Sequence, residues 1–185
     1  SLVLCDEAGH VLAGENTVED TAFFIHSRVH INVPKAVVVL HNHMPYTTSL
    51  TLLEDGKLQM VEQNALMFDG RIAYDTEYSG LALDVNEGDR IAHAMGACSI
   101  LMMANHGVTV TGLSVAMAFN DLYYLERAAM FQVLARSTGG QLRSIDPDVI
   151  ARTRTQFPQE LPKLAARHFA ALKRILDREE PQYRQ

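Results

Sequence analysis

The sequence predicts an α/β protein, on three observations. Two short apolar runs, Val37–Leu40 and Ile100–Ala104, have the β-branched or bulky composition of buried strands. Between and after them lie stretches of helical period, the longest running from Val115 to about Ser137. Glycine, proline and short acidic clusters punctuate these segments without forming tracts or repeats. At 185 residues the chain is expected to bury roughly 70% of its unfolded surface.

Taken in order, Leu2–Leu12 reads as two short strands around a Glu7-Ala8-Gly9 turn. Asp20 or Thr21 suits the N-cap of a helix over about Ala22–Ile31, closed ahead of Pro34. The stretch PKAVVVLHNHMPY, Pro34–Tyr46, then reads as a strand buried on both faces and bracketed by prolines. Thr47–Leu53 should be a short helix and Glu54–Lys57 a surface turn. Leu58–Phe68 and Ile72–Tyr74 are candidate strands or connecting segments, with Asp69-Gly70 as a hairpin turn. Asp84–Glu87 opens a helix that reaches Met95, with Gly96 past its end.

Val108–Thr111 continues as a strand until Gly112, and Ser114 caps the long helix. Its core stripe includes Val115, Ala118, Phe119, Leu122, Leu125, Ala129 and Val133, while Glu126 is expected in a solvated salt bridge. From Ile145 the character changes. Pro147 starts a short helix, and Pro158 and Pro162 separate it from an amphipathic one over about Leu161–Asp177.

Composition narrows the function. Apolar residues make up 48%, charged residues 21%, and the net charge of −6 leaves no basic footprint for nucleic acid. Cys5 and Cys98 are too few for a disulfide framework and lack zinc-ribbon spacing, so both are expected as reduced thiols in a cytoplasmic setting. No apolar run approaches the roughly twenty residues that span a bilayer, and no signal peptide is expected.

The chemistry concentrates in histidines. Alternate strand residues share a face, so His41 and His43 point the same way, roughly 6 to 7 Å apart along the backbone. His106, in the Asn105-His106-Gly107 that ends the second apolar run, is the third candidate. A lone histidine is usually a packing or surface residue, but three converging from two strand ends suit a divalent metal. Catalytic zinc takes three protein ligands and keeps an open position. A cupin also carries a histidine pair on a strand, yet it wants a glutamate soon afterwards, and Met44–Ser49 has none.

Four blocks, HSRVHINVPKAVVVLHNH (His26–His43), FDGRIAYDTEYSGLAL (Phe68–Leu83), LMMANHGVTVTGLSVAMAF (Leu101–Phe119) and LERAAMFQ (Leu125–Gln132), resemble the class II aldolase/adducin head-domain family in order and spacing. The resemblance implies α/β/α layers with a central, mainly antiparallel sheet flanked by helices. It implies a metal-binding core over 1–140, with an N-terminal part of the family fold absent from this sequence, and a helical extension over 141–185 packing on the core or a neighbouring subunit. It also implies that His41, His43 and His106 bind a divalent metal, zinc first among ions that include manganese, cobalt and nickel. A homo-oligomer, a tetramer by family habit, with a small-molecule substrate and neither nucleic acid nor membrane as partner, is the implied assembly.

The implied activity is that of an aldolase-like lyase, dehydratase or epimerase. It would act on a small hydroxy-carbonyl or sugar-phosphate-like substrate through a metal-stabilised enediolate. One departure stands out. The family's proton-moving glutamate sits four residues before the equivalent of His26, where this chain has Ala22. The nearest carboxylates are Glu19 and Asp20, and Glu19 and His26 are the candidates for a catalytic role. The same departure keeps open a non-catalytic, adducin-like binding or assembly domain.

Overall fold

The computed structural model describes residues 2–184. A small hairpin, β1 (Leu4–Cys5) and β2 (Val11–Ala13), turns at Gly9, whose φ of 85° suits glycine. Helix α1 (Asp20–Asn32) leads to β3 (Val38–Asn42), α2 (Pro45–Thr51), a 3-10 turn (Ala65–Phe68) and β4 (Ile72–Asp75). Then come α3 (Val85–Met95), β5 (Ile100–Met103), β6 (Gly107–Gly112), α4 (Val115–Ser137) and α5 (Pro147–Glu179).

The main sheet has the order β3-β6-β5-β4, antiparallel at the first two pairings and parallel at the last. Helices α1 and α3 cover one face and α2 and α4 the other, the layered α/β arrangement expected from the sequence. Alternation along β5 divides the core. Ile100 and Met102 pack with Leu125, Ala128 and Phe68, whereas Leu101 and Met103 pack with Val29, Ile91 and Met95. Gly88 lets α1 and α3 approach closely, because a Cβ there would lie 2.5 Å from the Phe24 carbonyl oxygen.

Several local expectations are corrected. The N-cap of α1 is Glu19, whose carboxylate accepts the Ala22 N–H at 2.7 Å, one residue earlier than read from the sequence. β3 is an edge strand. Helices lie against both of its faces, yet Val39 alone in it is fully buried, since among the described residues no strand lies beyond its outer edge. Asp69-Gly70 makes no hairpin. It turns the chain out of the 3-10 segment into β4, whose partner is β5. Leu58 reaches the core from irregular backbone, because buried Gln132 takes the ladder's place. Its oxygen accepts the Gln59 N–H at 2.7 Å and its amide donates to the Lys57 carbonyl at 2.9 Å.

The C-terminal segment is one helix, not two. Pro158 and Pro162 both lie inside α5, four residues apart on one stripe, so the backbone bonds they delete fall on a single side and the helix continues. α5 packs on α4 and on the 3-10 turn. Among the described residues no helix is long and apolar enough to cross a membrane.

Candidate metal centre

The three histidines meet where β3 and β6 diverge. β3 runs antiparallel to β6 with His41 opposite Thr109 and Asn42 opposite Val108, which carries His43 just past the last pairing. β5 and β6 are joined by a tight reversal in which Met103 pairs with Gly107, so His106 sits in the turn rather than at a strand end. Asn105 takes φ 57°, a left-handed conformation that asparagine tolerates. Its N–H is held by the Thr51 carbonyl at 3.1 Å, and the Asp75 carbonyl accepts the Ala104 N–H at 2.9 Å.

The result is a triangle of imidazoles. Ring centroids lie 5.1 Å apart for His41 and His43, and 4.8 Å apart for His106 and each of the others. One nitrogen from each ring falls within 4.8 Å of the other two, close enough for one ion to reach all three. His41 is oriented from behind. Its Nδ1 lies 3.2 Å from the Val108 carbonyl, an obligate acceptor, so Nδ1 carries the proton and the Nε2 lone pair faces the other rings.

Electrostatics favour the neutral form of His41 and His106. Burial, and then the neighbouring His106, His43 and His26, push His41 down to about 4, and burial with His43 lowers His106 also. A neutral imidazole is the metal-binding form. The shift has a sign. A histidine titrating near 6.5 when unfolded and about 4 when folded leaves the unfolded chain with more bound protons between those values. Chelator-treated protein should therefore lose stability as pH falls from about 6.5 towards 4, by up to about 3 kcal/mol from His41. Urea denaturation across that range checks this, and the slope should shrink in His41→Gln.

The cleft over the triad, about 410 Å³, is walled by Glu19, Ala22, Ile25, Tyr78, Leu81 and Asn105 among others. Glu19 thus shares the cleft with the histidines, but its carboxylate is occupied by the Thr21 hydroxyl and the Ala22 N–H, which lower its pKa. His26 lies behind, on α1. It does not wall the cleft, yet it is near enough to depress His41. Asp75 and Glu87 favour the charged form of His106, and both are paired to Arg90. His30 and His93 are exposed and apart from the triad.

Sequence reasoning missed Glu126. Instead of standing in solvent, it accepts the N–H groups of Tyr46 and Thr47 at 2.9 and 2.8 Å and the Thr47 hydroxyl at 2.7 Å. These are the first-turn donors of α2, whose own N-cap, Met44, has no oxygen to offer. The carboxylate of α4 therefore caps α2 and pins the chain three residues after His43. Glu126→Ala should cost about 2 kcal/mol and Glu126→Gln less, read by thermal denaturation of metal-free protein. The placement of a glutamate on a core-facing helix was the available signal.

The family model described as Class II Aldolase and Adducin N-terminal domain matches residues 1–133. The crystal structure of an aldolase II superfamily protein from Pseudomonas syringae superimposes with a TM-score of 0.90 at 32% identity, covering 99% of this chain and 74% of that one. An L-fuculose 1-phosphate aldolase from Glaciozyma antarctica PI12 shares the fold with a TM-score of 0.81 at 23% identity, over 96% and 69% of the respective chains. Human beta-adducin is 30% identical over 86% of this chain but only 23% of its own length.

Proposed function

The chain belongs to the class II aldolase and adducin family, and from that premise we propose that it is the metal-binding core of an aldolase-like enzyme acting on a small hydroxy-carbonyl compound. The observation that carries the reading is the triad itself: three imidazoles, converging from β3 and the β5–β6 turn on one open cleft. His41, His43 and His106 suit a divalent ion, zinc first, with the cleft side left for substrate. When bound, such an ion supplies Lewis acidity, stabilising negative charge that builds on substrate oxygen as a proton or a carbon–carbon bond is lost.

The remaining tasks fall to the chain's own groups. Glu19 accepts a hydroxyl proton from a substrate lying along the α1 terminus, and it shares the cleft wall with Ala22, which presents only a methyl group. Tyr78, with its ring 6.1 Å from that of His106, borders the mouth and shields a bound molecule from water. In this reading 1–140 is the core and 141–185 a helical extension, and the working form is a homo-oligomer.

A second reading has its own support. Ala22 in the cleft wall, and 30% identity to human beta-adducin, favour a binding or assembly domain that keeps the histidines without turnover. One assay separates the two. Metal-loaded protein in D2O is incubated with dihydroxyacetone or its phosphate, and exchange of the carbon-bound proton beside the carbonyl is followed by NMR. The enzyme reading expects exchange that depends on added metal and vanishes in His106→Ala. Exchange no faster than in buffer gives the field to the binding domain.

A further inference from the structure

A second cavity, also about 410 Å³, lies between α4, α5 and the Met67–Arg71 turn. It is at the end of the sheet away from the histidines. Arg71 precedes the Ile72–Ile100 pairing, whereas the triad's turn follows the Asp75–Met103 pairing. It opens to solvent past Gly70, Arg154, Pro158 and Pro162, and its volume falls in the range of small-ligand sites. Its walls are largely apolar, from Met67, Met117, Phe157, Leu161 and Ala165.

The polar groups in the wall define the ligand. Its charges cancel in pairs, Arg71 with Asp121 and Arg154 with Asp69, the latter at 2.9 Å. Asn120 and Asp121 are 2% and 6% exposed, and both line the cavity. The Asn120 oxygen accepts from His168 Nδ1 at 3.1 Å, which leaves the amide N–H groups for another partner. Arg71 engages one oxygen of Asp121, so the other is an open acceptor. Independently, Pro158 and Pro162 lie on the lining stripe of α5. By lacking N–H groups they deprive the Arg154 and Pro158 carbonyls of their usual helical donors on that same side.

The geometry points to a binding site for a small uncharged molecule with an apolar body and a polar end that both donates and accepts hydrogen bonds, a carboxamide or lactam in type. A charged ligand would stand uncompensated among paired charges in an apolar pocket, whereas a neutral amide meets the open Asn120 donor and Asp121 acceptor. The site uses none of the three cleft histidines, His41, His43 and His106, and is independent of the metal reading.

Backbone amide NMR of the full chain, titrated with benzamide and with its charged isosteres benzoate and benzylamine, tests this. Benzamide should give saturable shifts at Asn120, Asp121 and along Phe157–Ala165, with the isosteres about 10-fold weaker or more. Ala165→Leu, which fills the space, should abolish the response. Asn120→Asp keeps the oxygen that holds His168 and adds a charge, so it should turn the preference towards benzylamine. The site is overturned by an absence of saturable shifts, by equal response to all three probes, by shifts confined to the histidine cleft, or by an Asn120→Asp chain with unaltered preference.

Discussion

His41→Ala is expected to lower the affinity for a divalent ion by about 100-fold. Zinc bound by four protein ligands gains roughly 10–16 kcal/mol, or about 3 kcal/mol for each, and that is about two powers of ten. His41 is the member of the triad whose ring is set from behind by the Val108 carbonyl, and burial keeps it neutral. The loss therefore removes the donor that arrives best oriented. His93→Ala, at an exposed position on α3, is the control and should bind like the parent chain. Competition against a chromophoric chelator measures both. Equal affinity in His41→Ala would place the ion elsewhere.

Gly107→Ala is expected to cost stability and metal affinity together. A Cβ at Gly107 would lie 2.6 Å from the Asn42 carbonyl oxygen and 2.7 Å from Cδ2 of His43. One contact is backbone, and the other is a ring already held near His41, with the two Nε2 atoms 3.2 Å apart. Neither can retreat without parting β3 from β6 or turning His43 out of the triad. A cost of about 2 kcal/mol or more follows, which in a chain of this size lowers Tm by about 4–8 °C. Metal affinity should fall with it. Gly140→Ala, in an exposed segment after α4, should change neither.

The core of this fold was legible because local signals agreed with tertiary placement. The apolar runs into His41 and up to Asn105-His106 became β3 and β5, and the Asp84 and Ser114 caps opened α3 and α4 as read. Convergence of the three imidazoles was legible for a similar reason, since a strand's period fixes which side chains share a face. What escaped depended on partners far along the chain. Nothing near Glu126 announces that it caps a helix eighty residues earlier, and nothing near Leu58 says that Gln132 will satisfy its neighbours' backbone. Pro158 and Pro162 were read as breaks because propensity weighs each residue alone. In place, the packing of α5 against α4 outweighs them.

Glu19 shows how position and availability separate. It stands in the cleft, where the sequence suggested a catalytic carboxylate, yet the same oxygens cap α1. A proton-transfer role would require the first turn of α1 to give up that cap, which ties any activity to the order of the helix terminus.

The most direct test of the whole account is X-ray absorption at the zinc edge on protein loaded with one equivalent of metal. Three imidazole nitrogens and one further light-atom ligand at about 2.0–2.1 Å are predicted. A sulfur shell near 2.3 Å, or a spectrum unaltered when His41, His43 and His106 are all replaced by alanine, would contradict it.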